Sequence, residues 1–127
     1  IWGYAVGLDM TRRDLQNDMK KQGRPWCIGK AFEQSAPIGP IHPIARSGRL
    51  SKGAITLHVN GALRQKGDLG DLIWSVDEII EHLSAAWLLQ PGDLIYTGTP
   101  AGVAAVKPGD LMEGRIEGLG ALRVAVV

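Results

Sequence analysis

The chain has 127 residues, a length that fits one domain or a piece of one, and 45% of them are apolar, enough to bury a core. Its formal charge of +1 provides no electrostatic footprint for nucleic acid or an anionic membrane surface, and no apolar run approaches the roughly 18 residues of a membrane span. Cys27 stands alone, which excludes an internal disulfide and a cysteine-based metal site and makes a reducing, cytoplasmic setting the expectation.

In chain order, Tyr4-Ala5-Val6-Gly7-Leu8 is a short apolar run bounded by glycine and reads as a buried strand. Asp9 falls at its end, where a fold can offer a carboxylate to a ligand from rigid backbone. Thr11 with Asp14 three positions on predicts a helix start; Leu15 and Met19 give that helix a core-facing stripe, and Gly23 and Pro25 stop it. Arg13, Gln16 and Lys20 share another face, so Arg13 and Gln16 project from the first turn close to Asp9. On these residues alone Asp9 reads first as a helix-capping acid, and Arg13 and Gln16 as ordinary surface groups. Lys30 follows the turn in apolar company, between Gly29 and Ala31-Phe32. It must reach water or find an acid such as Asp9 or Asp14, because burying an unpaired ammonium is costly.

Prolines at 37, 40 and 43 predict an extended crossing, with His42 in a local structural role. Ile55, Leu57 and Val59 alternate with Thr56 and His58, then Asn60-Gly61 supplies a two-residue turn, so residues 54–65 read as a hairpin with His58 on its surface side. Asp68 and Asp71 read as solvated turn formers. Ser75 and Glu78 make a capping box for a scaffold helix whose buried stripe is Val76, Ile79, Ile80, Leu83 and Trp87. Pro91-Gly92-Asp93-Leu94 recurs as Pro108-Gly109-Asp110-Leu111, each copy predicting a turn that launches a strand, the first through Leu94-Ile95-Tyr96. Thr97-Gly98-Thr99-Pro100-Ala101-Gly102 then alternates hydroxyls and glycines, which suits close approach to an anionic group as well as a plain strand exit. Leu122, Val124 and Val126 alternate as a last strand.

Four stretches, GYAVGLDMTRRDLQ, GRPWCIGKAF, QSAPIGPI and GDLIYTGTPAGV, resemble the fumarylacetoacetate hydrolase family in the same order, and the resemblance extends over essentially the whole chain. Its nearest branch is the bacterial acylpyruvate and fumarylpyruvate hydrolases. The fold this implies is mainly β with short helices (α+β), a mixed β-roll, usually a homodimer. The implied activity is metal-dependent hydrolysis of a carbon–carbon bond in an acylpyruvate such as fumarylpyruvate, with Mg2+ or Mn2+ as cofactor and a small dicarboxylate or dioxo acid as substrate. By the same resemblance Asp9 is a metal ligand, Lys30 stabilises charge on the substrate enolate, and Arg13, Gln16 and Thr99 bind substrate oxygens. Family members add an upstream Glu-x-Glu pair for the metal and a His–Glu pair that activates water. Neither is in this sequence, so residues 1–127 are expected to be the C-terminal part of one catalytic domain whose upstream portion is missing. Ala104-Ala105 also departs from the family's glycine, which bears on substrate preference. The alternatives are oxaloacetate decarboxylation, isomerisation or decarboxylation of 2-hydroxyhepta-2,4-diene-1,7-dioate, and a non-catalytic structural module.

Overall fold

In the computed structural model, which describes residues 1–127, the alternating segment forms strands β3 (Ala54–Val59) and β4 (Ala62–Asp68). Asn60 and Gly61 join them at φ of 51° and 80°, positive at both central positions, as a two-residue hairpin requires. The chain's last two strands, β5 (Leu111–Ile116) and β6 (Gly120–Ala125), complete an antiparallel sheet of order β4-β3-β5-β6. Register puts Ile55 opposite Ile116, Leu57 opposite Gly114 and Val59 opposite Met112, while Gly114 and Met112 face Leu122 and Val124. One face of the sheet is therefore apolar. Val6 and Leu8 cover it, close enough that a Cβ on Gly114 would touch both side chains. His58, Glu113 and Arg123 line up across the other face.

The expected strand over 4–8 is present in its hydrogen bonds but broken as a ladder. Only Gly3–Tyr4 (β1) pairs regularly, with His42–Pro43 (β2), and Gly7 bridges Ile38. The Leu8 amide donates to the Pro37 carbonyl, Met10 to Ser35 and Gly39 to Val6. Prolines 37, 40 and 43 explain the interruption, since each removes a donor from the crossing strand. A short helix, α3 (Ile44–Ser47), follows β2.

Helix α1 (Arg13–Lys21) begins later than the Thr11–Asp14 pattern predicts, with Arg12 at the N-cap and no side-chain cap. Helix α2 (Cys27–Lys30) packs on it, and Gly29 lets the two backbones meet, because a Cβ there would lie 3.0 Å from the Gln16 amide nitrogen. Helix α4 (Val76–Ala86) has the predicted Ser75–Glu78 capping box. Its stripe of Val76, Ile79, Ile80 and Leu83 is half-buried, but Trp87 is 64% exposed because the helix ends at Ala86 and the chain turns extended. Asp68 and Asp71 cap the 3-10 turn Leu69–Asp71, in keeping with their reading as turn formers.

Both Pro-Gly-Asp turns form. Asp93 donates its amide to the Gln90 carbonyl and accepts the Gln90 amide on its carboxylate, and Asp110 does the same with Lys107. Only the second launches a strand. Residues 94–106 run without ladder pairing, so the strand predicted through Leu94-Ile95-Tyr96 is absent. The segment is held through a side chain rather than a ladder: the Tyr96 ring packs on Gly7, and its hydroxyl donates to the Ala36 carbonyl at 2.8 Å. The fold is thus mixed α and β, with antiparallel sheets and short helices, as the sequence implies. No helix is long and apolar enough to cross a membrane.

Candidate active site

A cavity of about 660 Å³ opens between the 6–14 segment, the apolar face of the sheet and the 96–106 loop. Asp9 sits on its wall at the end of the proline-paired segment. It caps no helix. Its Oδ2 accepts from the Lys30 ammonium at 2.7 Å, and Lys30 also donates to the Thr11 hydroxyl at 2.8 Å. Lys30 is brought there by the close α1–α2 contact, and by the Arg12 amide donating to the Gly29 carbonyl at 3.0 Å. Its side chain is 34% exposed and that of Asp9 51%, so solvent reaches both.

Arg13 lines the same cavity, and its Nη1 donates to Gln16 Oε1 at 2.5 Å, the contact that their three-residue spacing on a helix predicts. Gln16 itself is no surface group. It is 8% exposed, under Gly29, and does not line the cavity. It holds Arg13 rather than facing the cavity. Arg12 also borders the cavity, with its guanidinium stacked 4.3 Å over the Phe32 ring.

Thr99 enters from the opposite wall. Sequence reasoning missed what fixes it there. Gln65 on β4, 7% exposed, donates through Nε2 to Thr99 Oγ1 at 2.8 Å and to the Pro100 carbonyl at 2.6 Å. Gly102, at φ of 103°, lies so close to β4 that a Cβ would run into the Arg64 carbonyl oxygen. The β3–β4 register slips beside this contact: Leu57 pairs with Gln65 and His58 with Leu63, leaving Arg64 as the extra residue of a bulge. No sequence signal marked Gln65: counted from the Asn60-Gly61 turn it falls opposite polar Thr56, and only the bulge brings it opposite Leu57. Ala104 and Ala105 have no positive φ, so the loop passes them in ordinary backbone.

Tyr96 is a second missed wall residue. Burial, and then the negative charge of Asp9, push its phenol above the ordinary value, keeping it neutral. With Arg13 and Arg64 on the walls and Lys30 at Asp9, the cavity offers cationic groups to an anion, whereas the Arg115 guanidinium is held by Glu113.

His42 and Cys27 stand outside the cavity lining. His58 is half-buried rather than on the surface, and its Nδ1 is buried without a partner, because Glu113 across the strand is occupied by Arg115 and Arg123. No three His, Cys, Asp or Glu side chains converge anywhere in the fold. The donor set nevertheless suits a contribution to a hard cation: Asp9 Oδ1 makes no hydrogen bond within the chain, and such ions take one or two carboxylates with waters and substrate oxygens. The residues therefore fit one ligand of an oxygen-bound divalent cation, not an enclosed site.

A family model described as fumarylacetoacetate (FAA) hydrolase C-terminal matches residues 1–127. A fumarylpyruvate hydrolase of Ralstonia sp is 50% identical over 126 residues, covering 99% of this chain and 65% of that protein. The mitochondrial oxaloacetate tautomerase of Homo sapiens is 43% identical over 119 residues, 94% of this chain and 54% of the relative. Among solved structures, fumarylpyruvate hydrolase from Pseudomonas aeruginosa in complex with Mn2+ and pyruvate superposes at a TM-score of 0.97 with 58% identity, over 99% of this chain and 54% of that one. The chain spans about half to two thirds of the length of these relatives.

Proposed function

The chain belongs to the fumarylacetoacetate hydrolase family, and on that premise we propose that its cavity serves metal-assisted hydrolysis of a carbon–carbon bond in an acylpyruvate, with fumarylpyruvate the leading substrate. One observation carries the reading: an ammonium pinned at 2.7 Å on a half-exposed carboxylate, at the wall of an arginine-lined cavity. A lysine held in this way is aimed at whatever that carboxylate binds.

In this reading Asp9 holds Mg2+ or Mn2+ through its free oxygen, with further ligands from outside residues 1–127. Such a cation, when bound, polarises the substrate's oxygens and lowers the cost of negative charge on them. Arg13 has one guanidinium nitrogen fixed by Gln16, and the others remain for a carboxylate. Thr99 offers a hydroxyl to the substrate's anionic end. The oxygen of water bonds to the distal carbonyl carbon, the adjacent carbon–carbon bond breaks, and its electron pair leaves on the pyruvate fragment as an enolate. Lys30 offsets that charge until the enolate carbon takes a proton to give pyruvate. Activation of the water is assigned to no residue of this chain. Exposed Trp2, Trp74 and Trp87 favour further protein cover, and a homodimer belongs to the same reading.

A second reading is action on oxaloacetate, which passes through the same kind of enolate without an attacking water; the human tautomerase relative favours it. Both are tested with the full-length protein and its Asp9→Asn variant, following enol absorbance for fumarylpyruvate, acetylpyruvate and oxaloacetate with Mg2+ and then with EDTA. Metal-dependent acylpyruvate cleavage that Asp9→Asn abolishes is the expected result. Turnover of oxaloacetate alone moves the protein to the second reading, and activity indifferent to both EDTA and Asp9→Asn refutes the metal role.

A further inference from the structure

We propose that Gln65 is a positioning residue that sets the direction of the Thr99 hydroxyl, so that this end of the cavity selects hydrogen-bond acceptors. The inference rests on the reading of Thr99 as a substrate contact and goes one residue further back. Which way round the Gln65 amide sits follows from chemistry. The Pro100 carbonyl can only accept, so the atom 2.6 Å from it must be Nε2. The second Nε2 hydrogen then points to Thr99 Oγ1 at 2.8 Å, and the hydroxyl is the acceptor in that bond. A hydroxyl has one proton. With Gln65 donating to its oxygen, Thr99 turns its own O–H elsewhere, and Thr99 lines the cavity.

The arrangement is built rather than incidental. Gln65 is among the nine buried residues of the chain, and it follows the bulge residue Arg64, whose carbonyl the Gly102 backbone abuts. Gly67, two residues on, packs at 3.1 Å (from its would-be Cβ) on the Pro100 ring. Backbone contacts at Gly67 and Gly102 thus hold the loop on β4, and the Gln65 amide orients the hydroxyl between them. The O–H so aimed is a donor for a carboxylate or carbonyl oxygen, while one lone pair of Oγ1 stays open.

The test uses the full-length protein with Thr99→Val, Gln65→Met and the double variant, reading KM and kcat for the acylpyruvate and the Kd of pyruvate by calorimetry. Thr99→Val is expected to raise KM and the pyruvate Kd about fivefold to tenfold with a smaller change in kcat, as for one lost hydrogen bond. Gln65→Met should raise them by a similar factor and add almost nothing in the Thr99→Val background, since it acts through that hydroxyl. Gln65→Glu, which must accept from Thr99 and so reverses its proton, should weaken pyruvate more than Gln65→Met does, and it carries the test if the methionine variant does not fold. If Thr99→Val raises KM but neither Gln65 variant does, or if the double variant is simply additive, the positioning role is overturned while the Thr99 reading stands. Unchanged KM and Kd in Thr99→Val overturn both.

Discussion

Replacing Lys30 with methionine separates a structural ion pair from a chemical one. The Lys30–Asp9 contact is short, at 2.7 Å, but both side chains are substantially exposed, so water screens it and its contribution to folding is about 0.5–1 kcal/mol. Methionine keeps much of the aliphatic length of lysine, so Lys30→Met should shift the urea midpoint only slightly. The lost hydrogen bond to Thr11 is replaced by water at that partly open site. The effect on turnover is of another size. A preorganised cation facing charge that develops in the reaction is worth about 3–4 kcal/mol, which is a loss of roughly 10²–10³ in kcat. Steady-state cleavage of fumarylpyruvate, monitored through its enol absorbance, alongside urea unfolding of the same preparation, measures both. A kcat within threefold of the parent refutes the role assigned to Lys30. A large loss in both kcat and stability also refutes the reasoning, because it makes the pair a scaffold whose burial has been underestimated.

Two further outcomes follow from the geometry. Gly102→Ala sets a methyl group against the Arg64 carbonyl at positive φ; the backbone conformation costs about 1–2 kcal/mol and the overpacking about 1–3 kcal/mol, so the loop should leave β4 and KM rise at least about tenfold. Parental KM and thermal midpoint in that variant would contradict the contact. Glu113, bonded to Arg115 and Arg123, titrates at about 2 instead of its ordinary 4.5. A carboxyl whose folded pKa is depressed contributes stability above the unfolded value and loses it as pH falls toward the folded one. Glu113→Gln should therefore flatten the decline of the urea midpoint between about pH 4.5 and 2, and an unaltered acid limb would show that the two arginines do not hold it.

How far the sequence could be read depended on whether the cause of a feature was local. The Asn60-Gly61 hairpin, the Ser75–Glu78 box and the Asp68–Asp71 turn are set by residues within a few positions of one another, and each appears where its pattern places it. The Arg13–Gln16 contact is legible for the same reason, being one helical turn. Leu94-Ile95-Tyr96 has strand-like composition but no strand, because no neighbouring backbone pairs with it and its contacts run through the Tyr96 ring to Gly7 and the hydroxyl to Ala36. Trp87 continues the helical spacing of its stripe, yet nothing in that spacing tells that the backbone turns extended at this residue.

Gln65 marks the limit most sharply. By alternation it is one more polar residue in a hairpin, and its burial follows only from the bulge at Arg64, which shifts the register by one, and from a loop that returns 34 residues later to bring Thr99 to it. The pairing of Asp9 with Lys30 spans 21 residues, and here the warning came through cost alone: a lysine in apolar company must reach water or find an acid. An unpaired charge announces that a partner exists, whereas a neutral amide announces nothing until the chain has closed around it. The same difference orders the expected losses. Substitution at the charged pair should act on kcat, where charge develops, and substitution at the buried amide on KM, where a hydroxyl is aimed.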